Sequence, residues 1–158
     1  MAEVERTAAG SALTKLILDL FRLNNRMLTS GDRLVANLGL TSARWQVLGT
    51  IEASERPQPV AWLARDMGAN RQNVQRIVND LEKEGLVAFA ANPHHRRAQL
   101  VVLTEKGRIT CEMAMRLQAP WASGLADGLE VTEIERTHRV MRALLHKLEG
   151  SEEAREEA

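Results

Sequence analysis

Residues 60–107 read VAWLARDMGANRQNVQRIVNDLEKEGLVAFAANPHHRRAQLVVLTEKG. Val60, Leu63, Ala64 and Met67 recur at helical spacing and form the buried stripe of a short helix, with Gly68 turning the chain at its end. Asn70 is placed to cap a second helix whose core face is Val74, Ile77, Val78 and Leu81. Gly85 stops that helix. Leu86–Ala90 and Ala98–Leu103 are apolar enough to be paired strands, and Asn92-Pro93 turns the chain between them. The tip of this hairpin is Asn92-Pro93-His94-His95-Arg96-Arg97. Two helices joined by a tight turn and followed by a hairpin with a basic tip have the form needed to grip duplex DNA from two sides.

Working outward, Thr41 is a plausible cap for a helix carrying Trp45, Val47, Leu48 and Ile51, and Arg56-Pro57-Gln58-Pro59 ends it. Before it, Leu13, Leu16, Ile17, Leu20, Leu23, Met27, Leu28 and Leu34 mark a long amphipathic helix from Ser11, expected to be irregular near Ser30-Gly31. Residues 1–10 are expected to fray. Thr104 caps a fifth helix with Ile109, Met113, Leu117 and Trp121, in which Pro120 marks a kink or the approach of the end. Thr132-Glu133-Ile134-Glu135 fits the capping-box spacing at the start of a sixth helix with Ile134, His138, Met141, Leu144, Leu145 and Leu148. The fold class is therefore mainly α: a winged helix-turn-helix with long N- and C-terminal helices and a small β-hairpin wing.

The chain reads as a single domain, 1–158. Its DNA-binding lobe covers about 40–107, dimerisation helices cover about 11–36 and 108–149, and an acidic tail covers 150–158. The terminal helices carry more apolar stripe than one small centre can cover. That stripe folds back on the centre or is buried against a second copy, and the second copy is the better fit.

At 100° per residue, the core face of the 70–84 helix leaves Gln72, Arg76, Asn79 and Lys83 pointing nearly opposite, with Gln75 on the flank and Arg71 at the edge. Arginine suits the O6 and N7 of guanine, and glutamine or asparagine the N6 and N7 of adenine. The positive end of the helix dipole favours phosphate near Asn70 and Arg71. Arg96 and Arg97 suit a narrow, electronegative minor groove. His94 and His95 add donors, and their protonation on acidification would tighten binding between roughly pH 8 and pH 6. Trp62 lies opposite the buried stripe of its helix, where an exposed indole N–H can donate to a phosphate. The ordinary alternative for each of these residues is a solvated surface side chain. Helix face and hairpin tip in immediate succession are more specific than either alone.

The formal net charge of zero conceals local fields. Between Val60 and Leu103 stand six basic residues (Arg65, Arg71, Arg76, Lys83, Arg96 and Arg97) against four acids (Asp66, Asp80, Glu82 and Glu84). From Glu149 to Ala158 five glutamates face one arginine, a local net of −4. That acidic end, with the zero total, supports a rival reading: a helix-turn-helix used for protein–protein contact without a DNA target.

The segments LTSARWQVL, VAWLARDMGANRQNVQRIVNDLEKEGLV and NPHHRRAQLVVLTEKG together resemble the MarR-type winged-helix regulators, from about Leu40 to Gly107. The order of helices on both sides matches, so the resemblance covers most of the chain. It implies a homodimer whose first, fifth and sixth helices form the dimer layer, recognition of a near-palindromic double-stranded DNA site through residues 70–84, and a wing over about 87–102. It also implies a repressor relieved by a small, often aromatic or phenolic, effector bound between the dimer layer and the DNA-binding lobe. The chain departs from the family at His95, where an acidic residue commonly precedes the two arginines and helps to set the wing.

Other signals carry less. Cys111 is the only cysteine, which excludes an internal disulfide, suits a reducing cytoplasm and reads as a buried structural thiol. His94 and His95 are adjacent, and His138 and His146 are eight apart, so neither pair has the i, i+4 spacing of a helical metal site. Trp45, Trp121, Met27, Met113 and Met115 read as core rather than as a cofactor pocket, and no cofactor is expected. No phosphate-cradling GxxxxGK[ST] loop, HExxH or strand-linked GxGxxG is present, and the lone cysteine has no evident base, which argues against an enzyme. No apolar run approaches ~18 residues, so no membrane span is expected. The N-terminus lacks the basic-then-apolar pattern of a signal peptide.

Overall fold

The computed structural model of the chain describes residues 6–156. It divides into two compact units at about Pro120. The first holds α1 (Ala8–Val35), a 3-10 turn (Ala36–Leu38), α2 (Ser42–Ala53), β1 (Gln58–Pro59), α3 (Val60–Asp66), α4 (Arg71–Lys83), β2 (Val87–Ala90), β3 (Leu100–Leu103) and the start of α5 (Glu105–Leu125). The second holds the end of α5 and α6 (Val131–Glu156). Of the expected fraying over residues 1–10, positions 1–5 lie outside the described residues, and α1 already begins at Ala8, capped by Thr7. Among the described residues no helix is long and apolar enough to cross a membrane.

One apolar core organises the first unit. Val35, Val47, Leu48, Leu63, Val74, Val78, Leu81, Val87, Val101 and Cys111 are essentially sealed from solvent. Each helix in the centre contributes the face that its periodicity marks: Val60, Leu63 and Ala64 from α3, and Val74, Ile77, Val78 and Leu81 from α4. Full burial of one such aliphatic side chain contributes about 1.5–3 kcal/mol, so this interlocked set is what holds α3 and α4 in place.

Local side-chain bonds set the helix starts. The Thr41 hydroxyl accepts from the Arg44 N–H at 3.3 Å, and the Asn70 side-chain Oδ1 accepts from the Gln72 and Asn73 N–H groups at 2.9 and 3.2 Å. Thr104 accepts from the Gly107 N–H at 3.0 Å while donating to the Gly85 carbonyl at 2.7 Å, which binds the start of α5 to the end of α4. A Cβ at Gly107 would overlap the Leu86 carbonyl oxygen, so only glycine permits that approach.

The sheet is antiparallel, in the order β1-β3-β2, with Val87 opposite Leu103 and Ala90 opposite Leu100. Its third strand was not anticipated. Gln58 pairs with Val101 and Pro59 with Leu100, so the proline segment that follows α2, which itself stops at Ala53, edges the sheet, a position that tolerates a residue without an N–H. The strands of the hairpin are shorter than expected, and the tip between Ala90 and Leu100 is correspondingly longer.

Two further expectations, an irregular α1 and a Thr132 cap, are corrected. α1 runs unbroken through Ser30-Gly31, and Gly31 is buried because the Ser42 hydroxyl occupies the space a Cβ would need. That hydroxyl donates to the Leu28 carbonyl at 2.7 Å, and Asp32 accepts from the Ser42 N–H at 2.6 Å, so this glycine marks a tight helix crossing rather than a break. α6 opens at Val131, with the Glu130 carbonyl accepting from Ile134 N–H at 3.2 Å, which leaves Thr132 inside the first turn instead of capping it. α6 also continues to Glu156, so most of the acidic segment is helical. Pro120 lies inside α5, which carries on to Leu125.

Of the residues expected as core, Trp121 on α5 is half-buried and the three methionines are exposed. Met27, Met113 and Met115 are 40%, 47% and 52% exposed, whereas Trp45 packs against the core. Leu16, Ile17, Leu20, Phe21 and Leu23 are exposed on α1, and Val131, Ile134, Val140, Leu145 and Leu148 on α6.

Candidate nucleic-acid interface

α4 is polarised around its axis. Opposite its buried face, Arg71, Gln72, Asn73, Arg76, Asn79 and Lys83 are exposed, and Gln75 is half-buried. Two bonds order these side chains. Arg76 Nη2 donates to Asn73 Oδ1 at 3.0 Å, one turn back, and Gln75 Nε2 donates to Asn79 Oδ1 at 2.9 Å, one turn forward. Asn73 is absent from the residues singled out by sequence. Its signal was the i, i+3 spacing to Arg76, which places the two side chains on one ridge.

Asp80 and Glu84, at the C-terminal end of α4, each have a basic partner. Asp80 lies 3.8 Å from Lys83, which offsets the charge of that lysine. Glu84 forms an ion pair with Arg44, while Arg44 Nη1 donates to the Gly39 carbonyl at 2.9 Å. Lys106 Nζ donates to the Glu84 carbonyl at 2.8 Å. These contacts tie the C-terminal end of α4 to the elements on either side of it, and the first turns of α4 carry no acid. Asn70 spends its side-chain oxygen on the cap, so only its amide nitrogen remains to meet an outside group.

Trp62 is 63% exposed on α3. It lines an open groove of about 1270 Å³ together with Gln58, Leu100, His94 and His95. Trp62 and the two wing histidines thus line the same groove. Arg96 and Arg97 do not line that groove. Both are exposed, and among the described residues neither has a carboxylate partner. No hydrogen bond or ion pair joins the outward side chains of α4 to the wing among those residues.

Within the tip, the Asn92 amide donates to the Ala98 carbonyl at 2.8 Å, and its oxygen accepts from the His94 N–H at 3.0 Å. The His95 N–H donates to the Asn92 carbonyl at 3.3 Å, and the Ala98 N–H to the His95 carbonyl at 3.0 Å.

Cys111 is buried, and burial pushes its thiol up from 9.0 to about 11, with the Glu52 carboxylate acting in the same direction by charge and by hydrogen bond. The neutral thiol is thus the form at physiological pH, the opposite of a reactive cysteine. Alkylation of native protein by iodoacetamide at pH 7.5 is expected to leave Cys111 unlabelled, with labelling only after denaturation; rapid native labelling would refute its burial. Because the folded value lies above the unfolded one, its contribution to stability is present below about pH 9 and is lost as pH rises towards about 11.

Comparison with known proteins places this arrangement. The MarR family profile matches residues 38–98, from the end of the 3-10 turn through the wing tip. The uncharacterized protein Rv2011c of Mycobacterium tuberculosis is 34% identical over 138 residues, which cover 87% of this chain and 95% of that protein. The structure of transcriptional regulator PA3341 superposes with a TM-score of 0.77 at 26% identity, covering 85% of this chain and 98% of that one. The transcriptional repressor CouR, solved bound to a 23-mer DNA duplex, superposes with a TM-score of 0.74 at 24% identity over 89% of this chain and 99% of its own. CouR from Rhodococcus jostii RHA1 was also solved with p-coumaroyl-CoA, at 22% identity and a TM-score of 0.72, covering 79% of this chain and 87% of that one. With the helix-turn-helix, the three-stranded sheet and the basic hairpin in place, the chain belongs to the MarR family of transcription regulators.

Proposed function

We propose that this DNA-binding regulator acts as a homodimer on a near-palindromic operator, with the two copies of α4 in successive major grooves about one helical turn apart. The observation that carries the reading is the outward face of α4. It presents base-reading side chains already ordered by the Arg76–Asn73 and Gln75–Asn79 bonds, on a helix whose core face is sealed.

Gln72, Gln75, Arg76 and Asn79 supply sequence preference, Arg71 reads a base or a phosphate, and Asn70 meets the backbone at the helix start. Trp62 donates to a phosphate. Arg96 and Arg97 enter the minor groove, with His94 and His95 adding donors. The second copy covers the exposed apolar residues of α1, α5 and α6. Far more apolar surface faces solvent on these helices than the scattered singles normal for a monomer.

Binding blocks access to the promoter, and a small aromatic or phenolic effector between the dimer layer and the DNA-binding lobe relieves it by biasing a pre-existing equilibrium. CouR, with structures bound to DNA and to p-coumaroyl-CoA, supports that pairing of ligands by likeness of fold. A regulator of this kind works in the cytoplasm and catalyses no reaction.

The test is titration of purified protein against the duplex upstream of its own coding region and a scrambled duplex of equal length. Specific regulators discriminate by about 10³–10⁷. Equal affinity for both duplexes, with sequences selected from a random pool showing no common motif, would leave the protein–protein reading in possession.

A further inference from the structure

We propose that Asn92 is the positioning residue of the wing: one side chain fastens both limbs of the tip and so presents Arg96 and Arg97 to DNA in a single geometry. This inference rests on the wing being a DNA contact, as argued above.

The last rung of the hairpin is Ala90 opposite Leu100. Beyond it, the two limbs are joined across the tip through Asn92, whose amide donates to the Ala98 carbonyl six residues on. The same side chain accepts from the His94 N–H, an Asx turn that fixes the chain direction as the tip begins. The backbone bonds from His95 to Asn92 and from Ala98 to His95 complete a closed circuit that begins and ends on residue 92. Arg96 and Arg97 lie inside this circuit.

An arginine pair in a turn can also be held by a neighbouring carboxylate, but among the described residues none pairs with either guanidinium. The His95 side chain has no hydrogen-bond partner there, although its backbone is bonded on both sides. Asn92 is partly buried while residues 93–97 are exposed, so it is the anchored point of an otherwise solvated loop. Asparagine fits because its amide offers a donor and an acceptor at once. A loop fixed before binding loses less freedom when it meets DNA, which strengthens every contact its arginines make.

The experiment uses the full-length protein, three single variants and one double variant. Asn92→Ala removes both side-chain bonds. Asn92→Ser keeps an acceptor for the His94 N–H but cannot reach Ala98. Arg97→Ala removes a contacting group and leaves the circuit intact. Hydrogen exchange is read at the amides of residues 94–98 without DNA, and affinity is read on otherwise identical duplexes with A·T or G·C flanks.

Asn92→Ala is expected to speed exchange at His94, His95 and Ala98 and to reduce the preference for A·T flanks by about three- to tenfold, the scale of one hydrogen-bonded contact. Asn92→Ser should speed exchange at Ala98 more than at His94. Since Asn92 acts through the arginines, Asn92→Ala combined with Arg97→Ala should lose little beyond Arg97→Ala alone. Unchanged exchange in Asn92→Ala overturns the proposal. So does faster exchange with an unaltered flank preference when Arg97→Ala does lower it. If Arg97→Ala has no effect on any duplex, the wing is not a DNA contact: that reading falls, and the assignment of Asn92 as a positioning residue falls with it, even where exchange shows that it holds the turn.

Discussion

Replacing Arg76 with alanine is expected to cost about 1–3 kcal/mol of operator affinity and to relax preference at a single base pair. The guanidinium stands on the exposed face of α4, held by Asn73 one turn back. A planar fork held in this way loses little freedom on pairing with guanine O6 and N7. Removing it deletes a bidentate contact and leaves the base edge without its donor. The loss should be concentrated on the cognate duplex: measured against all single substitutions of the operator, one position becomes indifferent and the others keep their order. An equal loss on every duplex would reassign Arg76 to phosphate. Ile77 and Val78 beside it are buried, yet Arg76 itself lies in solvent, so the melting temperature should stay close to that of the parent.

A larger effect is expected from Leu20→Glu. Leu16, Ile17 and Leu20 are exposed at helical spacing on α1, whereas the apolar stripes of α3 and α4 are sealed. Twofold symmetry would bury each of them twice, at about 1.5–3 kcal/mol per side chain. A glutamate at position 20 would place a carboxylate in each half of that apolar contact, and an unpaired charge there costs several kcal/mol. The variant should sediment as a monomer at micromolar concentration and bind only half-sites. Loss of linkage between two half-sites lowers affinity by about 10²–10⁴. A Leu20→Glu protein that remains dimeric with full operator affinity would show that this stripe is not the dimer surface.

Which parts of this picture sequence alone reveals follows from the range of the forces involved. Caps and stripes are local. Asn70, Thr41 and Thr104 each bond to an N–H within three residues, and the stripe of α4 needs only its own periodicity. The polar face of α4 and the basic tip follow from the same arithmetic.

Distant partners are hidden from such a reading. β1 is two residues long and exists because Val101 and Leu100 lie beside it. Gly31 looks like a helix break until Ser42 arrives against it. Thr132 has the spacing of a cap, but the turn through Gly128, at a φ of 75°, lets α6 begin earlier, at Val131. Periodicity marks Met113 and Met27 as apolar-face residues without saying what covers that face, and among the described residues both stay exposed. At the candidate site, Asn92 is legible as a turn residue but its bond to Ala98 is not, and the bond between Asn73 and Arg76 is hidden for the same reason: spacing alone does not specify side-chain bonds. Lys83 was placed on the right face, but its ion pair with Asp80 could not be read from direction alone.

The most direct measurement is the affinity for the upstream duplex between 50 and 200 mM salt. A winged-helix dimer that neutralises six to ten phosphates should lose about 10³–10⁵ in affinity over that range, with log K falling linearly in log salt. A complex whose affinity is flat over the same range, or that forms equally well without DNA through another protein, would contradict α4 and the basic wing as a nucleic-acid interface.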